Sequence, residues 1–250
     1  MSDEKRNPMT AAQAAMRPTA PRRFYARVEV AVVDCGFAIR LDGRTTRTPG
    51  KRPLTAPTRA VAELIAAEWA AQGQTIEPLS MPATRLANSA IDGVADALAA
   101  TRAEIAGYAA FDLVCYRAEA PKTLVALQAA AFDPALAWAR EALGAHFAPT
   151  VGVSHVAQPE AALAAARMAV EAYADPFAVA ALHVTTSLTG SLLLALMTAK
   201  GALTAEAAWR AAHVDEDFQI GRWGADEEAK SRRASRWRDF EAAAKVVAGL

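Results

Sequence analysis

The sequence predicts an α+β fold in which a small N-terminal antiparallel β domain precedes a larger α-helical domain. Between Phe24 and Thr48, apolar and polar residues alternate with a period of two, which is the pattern of half-buried strands. From about residue 55 onwards, apolar residues instead recur every three to four positions, as they do on one face of a helix. This change of period places the sheet first and the helices after it.

Short turn sequences separate the predicted strands. Two alternating stretches, 24–33 and 37–41, flank the turn sequence Asp34-Cys35-Gly36. Asp42-Gly43 is a strong hairpin signal because both positions accept a positive φ. A third short strand is predicted at 44–48, which completes an antiparallel meander.

The helical part of the chain carries several start and stop signals. Residues 51–55 could add one more short strand before Thr55 or Thr58 caps a first helix that runs to Gly73. Residues 74–81 are predicted to be extended, and Pro82 begins a second helix, because proline is well tolerated in a first helical turn. Further helices are predicted at about 96–109, 121–145, 158–173, 176–200, 204–222 and 224–248.

These patterns divide the chain into three predicted segments. Residues 1–22 form a disordered tail, residues 23–85 form the β domain with one or two helices, and residues 86–250 form the helical domain. The tail has no apolar core of the kind that a signal peptide needs. Asp3 and Glu4 argue against a mitochondrial transit peptide, since such peptides avoid acidic residues.

The charge balance excludes some classes of function. Lysine plus arginine and aspartate plus glutamate number 27 each, so the formal net charge is zero. A nucleic-acid-binding protein normally has a basic excess or stripe, so nucleic-acid binding is not predicted here.

The segment that comes nearest to a membrane span, Phe177 to Met197, contains His183 and several hydroxyl residues. We predict a buried core helix there, and no membrane insertion.

Cysteines and histidines give no sign of a metal or redox centre. Cys35 and Cys115 are far apart and have apolar neighbours, which predicts reduced, buried thiols. The four histidines show neither an HExxH motif nor a pair at ligand spacing. No serine lies in a nucleophile elbow. We therefore expect no metal and no cofactor, and the residues by themselves offer no enzyme signature.

The most informative segment runs from Trp209 to Gly224, WRAAHVDEDFQIGRWG, and predicts a helix with two apolar faces. One stripe consists of Trp209, His213, Glu216 and Ile220, and the opposite stripe of Ala207, Ala211, Val214 and Phe218. Such a helix is usually packed between other elements. A carboxylate on a buried face must be paired, protonated or reserved for a ligand or partner.

Two explanations of Glu216 remain open at this point. His213 is one turn from both Trp209 and Glu216, so it could donate a hydrogen bond to the carboxylate and make it a buried structural partner. Alternatively, Glu216 faces outwards and contacts another molecule. The sequence does not separate these explanations.

Several motifs together resemble those of one protein family. They are RFY at 23–25, LDGRTTRTP at 41–49, EWAAQGQTIEPLSMPATRLANSAID at 68–92, DLVCYRAEAPKTLVALQ at 112–128, FDPALAW at 132–138 and DEDFQIGRWG at 215–224. Each motif is weak alone, but together they follow one order over most of the chain. The chain resembles the ATP12 family of chaperones, which assist assembly of the F1 sector of ATP synthase.

The resemblance implies a binding protein for the α subunit of F1 and no enzymatic activity. Such a chaperone covers the surface of α that later faces β, and leaves when β competes for it. The acidic position that the family carries before its QxxxWG motif falls on Glu216, with Asp215 as the second choice for a partner contact. Possible supporting residues are Trp209, His213, Gln219, Trp223 and Trp69.

The resemblance also gives expectations for individual supporting residues and for location. Gln219, Trp223 and Gly224 are expected to fix the helix end, and Trp69 to pack its helix onto the sheet. We expect a bacterial cytoplasmic protein, with the mitochondrial matrix as the alternative because the family also occurs there. Neither the composition nor the resemblance predicts an oligomeric state.

A second hypothesis belongs to a different functional class. Trp209, His213 and Glu216 could form an acid–base pocket with an aromatic wall in a small-molecule enzyme or a ligand-binding helical protein. That hypothesis predicts a closed apolar cavity of ligand size. The chaperone hypothesis predicts instead a surface groove or patch rimmed by Asp215 or Glu216.

Overall fold

A computed structural model describes residues 21–152 and 154–250, and four short strands form an antiparallel sheet at the start of this part. The strands are β1 (Val28–Val33), β2 (Gly36–Leu41), β3 (Arg44–Thr45) and β4 (Thr55–Ala56). Strand β2 is central, because β1 pairs along one edge while β3 and β4 both pair along the other. The predicted α+β class is confirmed, with a small antiparallel sheet followed by a larger helical region.

The two predicted turns of the meander shape the sheet. Asp42 and Gly43 have φ values of 48° and 80°, as the hairpin signal requires. The carboxylate of Asp42 also accepts a hydrogen bond from the backbone N–H of Arg27 at 2.8 Å, which fixes the entry to β1. In the other turn Cys35 is exposed, so the prediction of two buried thiols is wrong for this residue. Cys35 lies in the turn at the end of a hairpin. Its apolar sequence neighbours belong to the strands on either side, so they do not bury the thiol.

The described part of the chain next forms ten α-helices. They are α1 (Arg59–Ala70), α2 (Pro82–Ser89), α3 (Leu98–Gly107), α4 (Lys122–Leu143), α5 (Glu160–Glu171), α6 (Pro176–Thr189), α7 (Leu192–Ala199), α8 (Ala205–Ala212), α9 (Val214–Trp223) and α10 (Glu227–Ala248). A π-helical turn (Ala90–Val94) follows α2, and two residue pairs, β5 (Tyr116–Arg117) and β6 (Thr150–Val151), form a short parallel ladder. None of these helices has both the length and the apolarity to cross a bilayer.

Two predicted helices are each divided in the structure. The predicted helix 176–200 is α6 and α7, because Gly190 adopts a left-handed conformation with φ 67° and Ser191 caps the new helix through the N–H of Leu194. The predicted helix 204–222 is α8 and α9, because the backbone of His213 leaves the helical region with φ −115° and ψ 18°.

The C-terminal helix connects the sheet to the helical region. One core cluster joins Ile39 of β2, Ile65 of α1, Phe177 of α6 and Val246 of α10. The hydroxyl of Thr58, which caps α1, also donates to the carbonyl of Gly249 at 2.6 Å. The first and last described helices are thus packed together, and α10 ties the two predicted domains to each other.

Most of the predicted N-terminal tail, residues 1–20, lies outside the described residues. The last two residues assigned to that tail are extended and hydrogen-bonded. Arg22 forms an isolated antiparallel bridge with Thr75, and the N–H of Ile76 donates to the carbonyl of Pro21 at 2.8 Å. Residues 21 and 22 are therefore held in place by the segment 74–76, which supplies their backbone partners.

Asp112 is a fully buried carboxylate that holds two elements together. It accepts the N–H of Val114 at 3.2 Å and the N–H of Leu193, in the first turn of α7, at 3.0 Å. Burial raises the pKa of Asp112 from 3.8 to about 6, although these hydrogen bonds favour the ionised form. The carboxylate therefore caps helical turns at the cost of placing a charge in the core.

Replacing Asp112 with asparagine should change how stability depends on pH. Because the pKa is raised in the folded state, the folded protein keeps a proton that the unfolded chain has released between pH 3.8 and about 6. Relative to Asp112→Asn, the wild type should lose about 2 kcal/mol of unfolding free energy between about pH 4.5 and about pH 7. Urea unfolding of both proteins at the two pH values measures this difference. A pH-independent difference would contradict the raised pKa.

Candidate functional site

Helix α9 carries the acidic segment that the sequence singled out. Its first turn contains Asp215, Glu216 and Asp217, where negative charge is favoured by the helix dipole. No residue of α9 is fully buried. The expectation of a helix buried on two faces is therefore wrong for this half of the segment, because the break at His213 separates α9 from the buried helix α8.

The carboxylate of Glu216 is accessible. Its side chain is 42% exposed, and its oxygen lies 3.9 Å from Nε2 of His213. The other ring nitrogen of His213, Nδ1, lies 2.8 Å from the carbonyl oxygen of Trp209 and must donate to it, because a carbonyl only accepts. In the neutral ring Nε2 then carries no proton to give to Glu216.

The protonation of His213 follows from its surroundings. Burial lowers the pKa of His213, and the hydrogen bond to the Trp209 carbonyl opposes this shift only in part. The imidazole is therefore mainly neutral at pH 7. The Glu216 carboxylate is half-exposed, and the neutral imidazole of His213 offers it no N–H donor.

The two neighbouring acids are engaged within the chain. Asp215 accepts a hydrogen bond from the amide of Gln128 in α4 at 2.7 Å, and Gln128 is itself buried. Asp217 forms an ion pair with Arg233 of α10. Polar contacts thus hold helix α9 from both sides. Of the three acids in this turn, Glu216 is the one that is bonded to neither Gln128 nor Arg233.

Trp209 and His213 lie beneath α9 in an aromatic cluster. The ring of Trp209 is centred 4.0 Å from that of His213, 5.6 Å from Trp237 and 5.3 Å from Phe240. Trp209 is only 7% exposed. Trp209 and His213 are therefore both buried, and Trp209, which also borders the groove between α9 and α10, packs against three other rings.

Two surface grooves flank α9. The α9–α10 groove has a volume of about 660 Å³, and the α4–α9 groove, which also borders α7 and α8, about 550 Å³. The α9–α10 groove is lined by Glu216, Gln219, Ile220, Trp223, Arg233 and Trp237, among others. The α4–α9 groove is lined by Leu127, Pro134, Met197, Leu203, Val214 and Phe218, among others. Both grooves are open to solvent and largely apolar, with charged residues at their edges.

The C-terminal end of α9 differs from the expectation for its tryptophan. Gly224 ends the helix with φ 84°, and its N–H donates to the carbonyl of Ile220 at 2.9 Å. Trp223 is 76% exposed and Gln219 is also exposed. Glycine alone therefore accounts for the helix end, and the indole of Trp223 is free to contact another molecule.

Comparison with known proteins identifies the family. The family model for the ATP12 chaperone protein matches residues 22–140. The crystal structure of Atp12 from Paracoccus denitrificans is 41% identical, covers 91% of this chain and 97% of that chain, and superposes with a TM-score of 0.84. The chain belongs to the ATP12 chaperone family.

Two further solved structures agree with this assignment. A candidate chaperone from Agrobacterium tumefaciens is 47% identical, covers 99% of this chain and 92% of that chain, and has a TM-score of 0.89. An aspartate-to-lysine variant of Atp12p from P. denitrificans is 41% identical over 91% of this chain and 97% of that chain, with a TM-score of 0.83. Membership of the ATP12 family supports a chaperone role, which implies a protein partner and points to a non-enzyme.

Trp69 occupies a different part of this ATP12-family chain. Its ring lies 5.7 Å from that of Tyr25, and the hydroxyl of Tyr25 donates to the Trp69 carbonyl at 2.7 Å. This packing joins α1 to the segment that enters the sheet. Trp69 lines neither groove beside α9, so the structure does not bring it together with Glu216.

Sequence reasoning missed two residues that position the acidic turn. Gln128 and Arg233 hold Asp215 and Asp217 from α4 and α10. Gln128 carried a detectable signal, because it is a polar residue on the buried face of α4, where a hydrogen-bond partner is needed. Arg233 carried none, since it lies in a basic run that is equally well explained as a solvated helix face.

A third groove lies on another part of the ATP12-family chain. It has a volume of about 930 Å³ and is bordered by α2, the π-helical turn, α3 and α6. Its titratable groups have partners within the chain: Arg85 pairs with Asp239, His183 lies 3.2 Å from Glu104, and Asp92 accepts hydrogen bonds from Thr48 and Gly50. None of the predicted site residues lines this groove.

Proposed function

We propose that this chaperone binds the unassembled α subunit of F1 ATP synthase and shields the surface that α later presents to β. The observation that carries the proposal is the position of Glu216, whose half-exposed carboxylate lines the largely apolar α9–α10 groove. An isolated subunit exposes the partly apolar surface of its future interface. A chaperone that covers such a surface must supply apolar contacts bordered by polar ones.

The character of the site also suits a temporary complex. A chaperone that must release its client needs an interface that a competing subunit can displace, which favours a moderate area over a deep, obligate one. The two grooves are open to solvent, and α9 between them is anchored by the polar contacts of Asp215 and Asp217. In this proposal β displaces the chaperone by competing for the same face of α.

The geometry gives less support to a small-molecule enzyme. The acid–base pocket would need His213 and Glu216 to exchange a proton through Nε2, but Nε2 lies 3.9 Å from the carboxylate, which is beyond hydrogen-bond distance. Trp209 borders the groove beside Glu216, but it is only 7% exposed because its ring packs against Trp237 and Phe240. The groove beside Glu216 is open to solvent, whereas the small-molecule enzyme hypothesis predicted a closed cavity.

Size-exclusion chromatography with purified proteins tests the proposal. Mixing the chaperone with isolated F1 α subunit should give a co-eluting complex and reduce aggregation of α. Adding purified β subunit should then release the chaperone as α and β associate. Separate elution of α and the chaperone, with unchanged aggregation of α, would contradict the proposal.

A further inference from the structure

One face of α9 combines an exposed aromatic ring with an accessible carboxylate. Glu216, Ile220 and Trp223 succeed one another at intervals of four and three residues, so they form a row along the helix. All three line the α9–α10 groove. The indole of Trp223 and the carboxylate of Glu216 are both open to a partner, and the apolar side chain of Ile220 lies between them.

The cations that border the groove are already engaged within the chain. Arg233, which is close enough to respond to the charge of Glu216, is hydrogen-bonded to Asp217. Lys230 contacts Glu227 at 2.5 Å. Since His213 is mainly neutral, the groove presents the negative charge of Glu216 beside an uncovered aromatic surface.

We propose that the α9–α10 groove holds an arginine side chain of the α subunit, whose guanidinium donates to Glu216 and stacks on the Trp223 ring while its aliphatic length packs against Ile220. This inference rests on the proposed function and names the chemistry of the partner at one contact. Arginine fits better than lysine, because its planar and weakly hydrated guanidinium both stacks on an aromatic face and donates to a carboxylate. Long side chains on a helix lean towards its N-terminus, which is the direction in which Glu216 lies from Trp223.

The chain contains a related contact, in which the ring and the carboxylate belong to the adjacent residues Phe132 and Asp133. The guanidinium of Arg117 lies 5.1 Å from the ring centre of Phe132 and donates to Asp133 at 2.7 Å. Here one arginine satisfies a carboxylate and covers an aromatic ring at the same time. At Glu216 and Trp223 the carboxylate and the ring are present, and the partner supplies the arginine.

Binding of purified F1 α subunit to variants of the full chain tests the contact. Trp223→Leu should weaken the complex about fivefold, because it removes the π surface and keeps an apolar side chain. Trp223→Phe should lose less than about twofold, since it keeps a ring. Phe111→Leu, which changes an exposed aromatic residue outside the groove, is the matched control and should bind like the wild type.

A double-mutant cycle then asks whether Glu216 and Trp223 hold one side chain. The combined loss in Glu216→Gln plus Trp223→Leu should be smaller than the product of the two single losses. In a scan of the surface arginines of α, one arginine-to-glutamine change should abolish the effect of both chaperone variants. Unchanged binding of Trp223→Leu, independent effects, or no coupled arginine would overturn the inference. If the wild type itself fails to bind α, the proposed function fails as well, so the two failures are distinguishable.

Discussion

Glu216→Lys is expected to weaken the complex with the F1 α subunit on the order of a hundredfold without unfolding the chaperone. The change places a positive charge where the groove offers a negative one to a basic partner group, so attraction becomes repulsion. Because the Glu216 side chain is 42% exposed and lies 3.9 Å from Nε2 of His213, beyond hydrogen-bond distance, the folded state loses little. Isothermal titration with purified α and a thermal melt of each chaperone variant measure both effects.

The matched control for this charge reversal is Glu171→Lys. Glu171 is an exposed acid at the end of α5 and lines neither groove beside α9. It changes the net charge by the same amount, so any general electrostatic effect on association appears in both variants. Equal losses in the two variants would exclude a specific contact at Glu216. A melting temperature lowered by several degrees in Glu216→Lys would show that the acid is structural instead.

Local signals in the sequence were sufficient for the sheet and for most helix starts. Asp42-Gly43 predicts its hairpin because few other dipeptides accept two positive φ values in succession. Thr58 and Pro82 predict helix starts because the chemistry of the first turn is local. Each of these features depends only on residues that are close together along the chain, so the sequence is enough to predict it.

The break at His213 could not be predicted in the same way. The segment Trp209 to Gly224 keeps helical spacing throughout, so its pattern permits a single helix. The division depends on distant residues, because α9 is directed by the contacts of Asp215 with Gln128 and of Asp217 with Arg233. In addition, His213 bonds back to the Trp209 carbonyl and ends α8.

Periodicity also gave the wrong exposure for α9. Ile220 and Trp223 are apolar residues at helical spacing, which normally indicates a buried face. Here no residue of α9 is fully buried, so an apolar row lies along an open groove. An amphipathic pattern indicates that one face of a helix is apolar. It does not indicate whether that face is buried by the same chain or by a partner protein. This ambiguity is intrinsic to sequence patterns in proteins that bind other proteins.

Trp209→Ala should have the largest effect on stability, lowering the unfolding free energy by about 4 kcal/mol and the melting temperature by about 10 °C. The ring is 7% exposed and contacts His213, Trp237 and Phe240, so its removal leaves a cavity under α9. Trp209→Phe keeps part of this packing and should cost less than half as much. Urea unfolding monitored by circular dichroism measures both variants.

The same variant separates support of the site from contact with the partner. If Trp209 acts only from beneath, Trp209→Ala should bind α more weakly chiefly because α9 is less well held, and Trp209→Phe should restore binding and stability together. If Trp209 instead touched the partner, Trp209→Phe would recover stability while binding stayed weak. Trp223→Leu has the opposite signature, since an exposed indole can be removed at little cost to folding. Restored stability with persistently weak binding in Trp209→Phe would therefore place the aromatic cluster in the interface and contradict its position in the core.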